Sequence, residues 1–573
     1  MPTKEVVRAV LFAAGGAVLA CSPKLLLDRT LPISDLETHY RWAFQFSRCL
    51  QEGALYPRWM PHAFHGLGEP AFVYYPPAYY YLAAIVSHTG LSIWNSMKLV
   101  ELILTAATGI AGFLVCRRLA SFRWSLFGAG VLQTAPMFVF IYLYYNGLSW
   151  YASIPMAVAA FYFVCFPRHE SRSLDLRLSL AVAGLAMTHV LSAFMLILCL
   201  PFFYVIYLPV FGGHTREFLA RMRHFVLSVT LGCGLAMIYL LPALTTHSYI
   251  HAASWRTHWF KTRTDWFKTR FSLPVVTAKI HGLDWPLFQY PIGGLLVISA
   301  VAVAGYLYCH RAARQEPWRV TAGLAAVGAV ALFFSTELSY PLWRYWKALQ
   351  MIQFPVRFNY IATMALTLAS IGCCRMAVRS GTLRPWRAAV TAPLALMLAF
   401  GFFLGAKIVF FDGRSYDHGG HQLSAHLRFG QPEYLPARAG GHWERYALSG
   451  AMQTDCASQR AGCTEILSKC QERQWRIVTD KAILLRLPVF AYPAWAAFVD
   501  DARVASQVDP ATGVIQLDVP PGSHRAGVIW IGLAEERAGA LVSAVSLAVA
   551  VGLALRRWLA GRLGALVVQA SRI

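Results

Sequence analysis

The chain alternates between apolar runs of about 20 residues, the length needed to cross some 30 Å of hydrocarbon, and two kinds of break. Some breaks are short and arginine-rich; others are long and mixed. The runs predict twelve membrane spans, at 9–27, 95–116, 124–143, 147–166, 178–190, 193–211, 224–243, 290–309, 319–335, 357–378, 388–410 and 539–556. The short breaks hold clusters such as Arg117, Arg118 and Arg123, or Arg556, Arg557 and Arg562. Positive residues stay on the cytoplasmic side during insertion, so these clusters mark inside loops and place both termini inside. The apolar stretch 76–90 breaks the parity if counted as a span. Its Pro76, Pro77, tyrosines and His88 suit an interfacial helix on the outer surface instead. Val18-Leu19-Ala20-Cys21 is a poor cleavage site and Leu25-Leu26-Leu27 prolongs the run, so the first span reads as a retained anchor.

Four long segments then fall outside: 28–94, 244–289, 336–356 and 411–538. In the last, Gly513-Val514-Ile515-Gln516-Leu517-Asp518-Val519 alternates as a half-buried strand between turn sequences. With Trp475–Leu487 and Trp495–Val508 it predicts a small antiparallel β-sandwich. The expected organisation is a transmembrane module over 1–411 with its first outer loop at 28–94, a periplasmic β-rich domain over 412–538, and a final span and cytoplasmic tail over 539–573. Cys456, Cys463 and Cys470 lie seven apart; an oxidising compartment allows one disulfide among them with one thiol left over. Their spacing is not that of a zinc site.

Composition sharpens this picture. The 573 residues are 57% hydrophobic and 14% charged, with mean hydropathy +0.47, which excludes a soluble protein of this size. The net charge of +23 is spread through the inside loops and forms no nucleic-acid patch. No phosphate-binding glycine loop, zinc motif or Ser/His/Asp hydrolase signature is present. The work falls on the outer face, where nucleotide sugars and ATP are absent, so an energy-rich substrate must arrive on a lipid or by export.

Ionisable groups crowded at a bilayer surface are functional candidates, and Ser34-Asp35-Leu36-Glu37-Thr38-His39 is the densest such string. Ser34-x-x-Glu37 has the form of a capping box, which gives Glu37 a structural explanation. Asp35 and His39 are four apart and share a helix face. Asp35 has only a weak alternative, the helix dipole, worth about 0.3–1 kcal/mol. A carboxylate there can take a proton from an acceptor hydroxyl as it attacks an electrophilic carbon, with His39 orienting it, bonding the acceptor or facing the headgroups.

A lipid-borne electrophile leaves on phosphate, which calls for guanidinium and ammonium groups. Outer loops supply Arg256, Lys261, Arg263, Lys268 and Arg270, then Arg344, Lys347 and Arg357 around Trp343, Trp346 and Phe354. Attraction to anionic headgroups accounts for the scattered lysines. Arg344, Lys347 and Arg357, with Arg256, are the phosphate candidates. His189, in a tight outer turn, and Tyr75 are weaker site candidates; Asp265, Asp284 and Glu337 have ordinary loop explanations.

The string Ser-Asp-x-x-x-His at 34–39, Glu52 to Trp59, Gly66-Leu67-Gly68-Glu69-Pro70 and Tyr74-Tyr75-Pro76-Pro77-Ala78-Tyr79-Tyr80 resembles the first outer loop of YfhO-like, pyruvoyl-tetrahydropterin-synthase-related bacterial membrane proteins, the second label implying no pterin chemistry. Gln353-Phe354-Pro355-Val356-Arg357, Glu433-Tyr434-Leu435-Pro436 and Tyr492-Pro493-Ala494-Trp495 extend the likeness. Val356 departs from the usual Trp, and Ala494 stands where Gly is common, which puts a tight turn there in question. These proteins are similar to GT-C glycosyltransferases. The resemblance implies a multi-span inner-membrane enzyme that moves sugar from a polyprenyl-phosphate donor to an envelope lipid, glycan or protein, usually with inversion. It makes Asp35 the base and Glu37 the second acid of an Asp-x-Glu pattern. The Asp-x-Glu-x-His string also has the donors to ligate a divalent metal, although several related enzymes work through basic residues alone. A non-catalytic transporter or flippase for a lipid-linked glycan, and a scaffold, are the competing readings; spans that look clean of charge speak against the transporter.

Overall fold

The computed structural model describes residues 3–30, 35–167, 174–209, 213–251, 316–379, 384–412, 414–415 and 428–570. Among them, eight helices are long and apolar enough to cross a membrane: Thr3–Leu27, Ile93–Leu119, Phe122–Tyr144, Leu148–Cys165, Val190–Tyr207, Trp318–Ser335, Thr391–Phe411 and Ala534–Ala560. Four other expected spans fare differently. The run at 178–190 is a 13-residue helix, Leu176–Thr188. The run at 224–243 lies in a broken pair, Thr215–Leu235 and Met237–Thr245, bent by 82°. The run at 357–378 lies in the helix Asn359–Arg379, and 290–309 falls outside the described residues. The stretch at 76–90 forms the ten-residue helix Ala78–Ser87, too short to span.

The spans are not as clean of charge as the hydropathy suggests. Lys24 Nζ donates to Glu101 Oε1 at 2.9 Å, with the two side chains 0% and 1% exposed. The Tyr79 hydroxyl donates to the same oxygen at 3.0 Å. The pair sits in the last turn of Thr3–Leu25 and about two turns into Ile93–Leu119, at the end of the bundle where the first long loop begins. A single charge at such a site is expensive; a paired one with a third hydrogen bond is tolerated.

That loop opens with the helix Leu36–Gln51, whose Leu36, His39, Tyr40, Ala43, Phe46 and Ser47 are buried at three- and four-residue spacing. It stops at Gly53, which takes φ +97°. Gly53 N–H bonds to Leu50 O and Ala54 N–H to Cys49 O, both at 3.0 Å, the paired closure of a Schellman motif. Further on, Gly68 holds φ +85°, and a Cβ there would lie 2.1 Å from Trp59 Nε1, so Gly66-Leu67-Gly68 is a turn that the indole ring covers.

The C-terminal strands form two antiparallel sheets. One runs Gly462–Lys469, Glu472–Thr479, Gly522–Trp530, Trp495–Val499, Ala502–Val504; the other runs Ile483–Phe490, Val514–Val519, Gln507–Val508. Trp475, Ile477, Leu485, Leu517 and Val528 belong to one apolar core with Leu36, Trp42, Phe46, Phe72 and Tyr80 of the first loop. The helical bundle has a separate core around residues such as Leu132, Phe161, Leu196 and Ile361. The turn at Tyr492–Trp495 forms, with Trp495 N–H on Tyr492 O at 3.0 Å, and Ala494 needs no left-handed backbone for it.

The cysteines correct one expectation. Cys456 pairs with Cys463, and Cys470 is not left over: it pairs with Cys49 of the first-loop helix, 421 positions away. Spacing within one segment carries no information about a partner in another.

Candidate functional site

Asp35 stands at the N-cap of Leu36–Gln51, and its side chain makes no capping hydrogen bond. Ser34, the expected cap, lies outside the described residues. Asp35 is exposed as a residue, yet surrounding protein desolvates its carboxyl. Desolvation lifts its pKa from 3.8 to about 6; Arg357 pulls it down and Glu433 pushes it up. Its backbone N–H reaches Tyr145 O at 3.4 Å.

Arg357 is buried at 6% exposure in the short turn Pro355–Phe358. Nη1 donates to Ile352 O at 2.9 Å and Nη2 to the Tyr145 hydroxyl at 3.4 Å. The guanidinium lies over Trp150 at 5.4 Å and Phe354 at 4.9 Å. Trp150 in turn stacks on His189 at 5.7 Å and 15°. Among the described residues, Arg357 Nε and Trp150 Nε1 are buried donors with no hydrogen-bond partner. His189 uses Nδ1 to accept from Ser192 N–H at 3.2 Å, capping the helix Val190–Cys199, so its position has a structural cause.

The other phosphate candidates separate from Arg357. Arg344 and Lys347 are exposed on the short helices Tyr340–Tyr345 and Lys347–Gln350, and Arg357 is the cation that acts on Asp35. Sequence proximity grouped the three; the turn at Pro355 sends Arg357 inward and leaves the others at the surface. Arg256 and the remaining basic residues of 252–315 lie outside the described residues.

His39 is 2% exposed, its Nδ1 2.5 Å from the Tyr80 hydroxyl and its ring against Tyr75 at 6.0 Å. Burial pushes its pKa down to about 3, with Lys24 adding to the effect, so the ring is neutral. With Tyr80 donating to Nδ1, the ring proton stands on Nε2, which is buried without a partner among the described residues. Tyr75 packs on Trp42 at 4.8 Å, and burial, then the charge of Asp35, push its hydroxyl up. Glu37 is half-buried. Asp35, Glu37 and His39 do not converge on a metal: among the described residues no group of three or more His, Cys, Asp or Glu could hold one.

Glu69 was not singled out from the sequence, although it stands inside a quoted motif. It is 1% exposed and accepts from Trp42 Nε1 at 2.7 Å and from Gln431 N–H at 2.8 Å. An acid between Gly-Leu-Gly and Pro, alone among Asp, Glu, Lys and Arg in the stretch 59–94, is the available signal. Glu433 likewise stands inside a quoted motif without a role of its own, and nothing local marks Tyr145 or Trp150, which act by tertiary placement.

No family model matches this chain, and no curated protein does. Solved structures similar to it include two. One is ArnT from Cupriavidus metallidurans bound to undecaprenyl phosphate, with TM-score 0.39 and 16% identity over 74% of this chain and 78% of that one. The other is the archaeal oligosaccharyltransferase AglB from Archaeoglobus fulgidus, in complex with an inhibitory peptide and a dolichol-phosphate, with TM-score 0.44 and 12% identity. That match covers 78% of this chain and 63% of AglB.

Proposed function

We propose that the protein is a membrane glycosyltransferase that takes sugar from a polyprenyl-phosphate donor on the face carrying the first loop and the β sheets. One observation carries the reading: Asp35, a carboxylate raised to about 6, and Arg357, a buried guanidinium, are held on one residue, Tyr145. Asp35 takes the acceptor's hydroxyl proton as that oxygen bonds the sugar's anomeric carbon. The bond from that carbon to phosphate oxygen breaks, its electron pair stays on the polyprenyl phosphate, and Arg357 meets the charge. Attack opposite the departing phosphate inverts the centre. Trp150, whose ring lies under the Arg357 guanidinium, offers its unpartnered indole N–H to the same anion, and His39 Nε2–H is a donor for an acceptor or donor oxygen. Glu37 is retained as a secondary acid, and Arg344 and Lys347 as headgroup-facing cations.

The disulfides Cys49–Cys470 and Cys456–Cys463 support an oxidising compartment for that face, as in the periplasm of a bacterial inner-membrane protein with both termini cytoplasmic. A non-catalytic carrier of a lipid-linked glycan is the second reading, favoured by the broken span and the buried Lys24–Glu101 pair. Purified protein in detergent, given a panel of polyprenyl-phosphate sugars and envelope acceptors, separates the two. Transfer that falls about a hundredfold or more in Asp35→Asn supports the enzyme; equal transfer by Asp35→Asn and wild type refutes it.

A further inference from the structure

The helix that carries Asp35 is fastened along a single stripe. From Asp35 the positions Thr38, Trp42, Gln45, Cys49 and Glu52 follow at alternating steps of three and four, which keeps them on one helix face. Every one of them is tied down. The Thr38 hydroxyl accepts from Gln431 Nε2. Trp42 Nε1 donates to Glu69, whose other oxygen accepts from Gln431 N–H. Gln45 Oε1 accepts from His62 N–H at 3.0 Å. Cys49 is bonded to Cys470, and Glu52 Oε2 accepts from Cys470 N–H at 2.8 Å. Arg41, beside the stripe, donates to Phe429 O at 3.0 Å. Four of the five tied positions therefore reach, directly or through Glu69, residues between Phe429 and Cys470, and the stripe runs about 25 Å from Asp35 to Glu52.

We infer that the C-terminal region, from Phe429 through the β sheets, is a positioning element for Asp35, with Cys49 and Cys470 as positioning residues that fix the rotation and axial seat of the helix. This rests on the transferase reading above. A helix is stiff enough that a bond at its far end constrains its head, and a disulfide between segments 421 positions apart removes sliding that hydrogen bonds alone permit. The same region brings Glu433 to Asp35. The groups acting on that carboxyl are Arg357, Glu433 and the hydroxyls of Tyr75 and Tyr80, so loosening the C-terminal contacts withdraws a like charge and admits water together.

The test compares Cys49→Ser/Cys470→Ser with Cys456→Ser/Cys463→Ser, which opens the disulfide internal to the β region, and with wild type reduced after folding. Turnover of the first variant, and of reduced wild type, is expected to fall about ten- to a hundredfold, as for a reacting group displaced by about an ångström. The acidic limb of the pH–rate profile is expected to move to lower pH, because both lost influences raise the pKa of Asp35. Mere loss of folded protein lowers the rate without moving the limb. The Cys456→Ser/Cys463→Ser protein keeps the wild-type limb. Should the first variant not fold, reduced wild type decides. Wild-type turnover and limb in whichever of these is measured overturn the inference. Transfer by Asp35→Asn at the wild-type rate instead defeats the transferase reading, and the two failures are distinct.

Discussion

Asp35 and Arg357 share a single support: Tyr145 accepts the backbone N–H of Asp35 on its carbonyl and a guanidinium N–H of Arg357 on its hydroxyl, each at 3.4 Å. The cation lowers the pKa of the carboxyl against the larger effect of desolvation. Removing the charge has a determined sign. In Arg357→Gln the pKa of Asp35 is expected to climb above about 6; under the proposed transfer the acidic limb of kcat/KM then shifts to higher pH and plateau turnover falls, the departing phosphate having lost its counter-charge. Arg357→Lys keeps the charge but not the stack on Trp150, so it retains the limb and loses rate. A pH–rate profile of the three proteins checks both statements.

Glu69 makes stability, rather than rate, depend on pH. Burial raises its carboxyl from 4.5 to about 7, against the lowering effects of Gln431 N–H, Trp42 and Arg41. A folded-state value above the unfolded one means that folding holds the proton more tightly. The contribution is then complete below about 4.5 and is lost as pH rises through about 7. Thermal unfolding in detergent is expected to show this decline in wild type and to show it flattened in Glu69→Gln, which carries no titrating group there. Equal slopes for the two proteins would disprove the assignment.

The legible parts of this molecule are those encoded locally. Apolar runs long enough to span, the alternation of Val514–Val519 and the amphipathic repeat after Asp35 each need only a window of the chain; eight of the twelve expected spans, the strand and the helix appear near their expected bounds among the described residues. One half of the candidate site lies on a local string, Asp35 to His39. The other half depends on tertiary placement. Arg357 could not be told from Arg344 and Lys347 until the turn at Pro355 directed it inward, and Cys470 could not be matched to Cys49 across 421 positions. The break after Leu235 has Gly232 and Gly234 just before it, yet the 82° bend also needs Ser543 of the last helix, whose hydroxyl accepts from Ile238 N–H at 2.8 Å.

Gly68 offers a stringent check on the first loop. Its backbone is in the left-handed region, and a Cβ would meet Trp59 Nε1 at 2.1 Å, Cε2 at 2.4 Å and Cζ2 at 2.6 Å. Trp59 is 2% exposed and packs on Trp495 at 5.4 Å, so the ring has nowhere to retreat. Gly68→Ala is expected to destabilise by about 1–3 kcal/mol, the scale of overpacking in a filled core. Gly66→Ala, strained in backbone but open in space, is expected to cost less. Unfolding midpoints of the two variants rank them.

The Lys24–Glu101 pair distinguishes a structural charge from a working one. Both side chains are enclosed, Lys24 also lies over Trp94 and Tyr142 at 5.4 and 5.2 Å, and Glu101 takes the second bond from Tyr79. Lys24→Met leaves a buried carboxylate without its cation and is expected to cost about 3–5 kcal/mol in detergent unfolding, as is Glu101→Leu, which strands the ammonium. The double variant replaces both charges with apolar groups of similar volume and is expected to regain most of that loss. If the double variant also retains sugar transfer, the pair serves the bundle alone. If it is stable but cannot export a lipid-linked glycan in reconstituted vesicles that wild type does export, the pair belongs to a transport pathway, and the carrier reading gains over the enzyme.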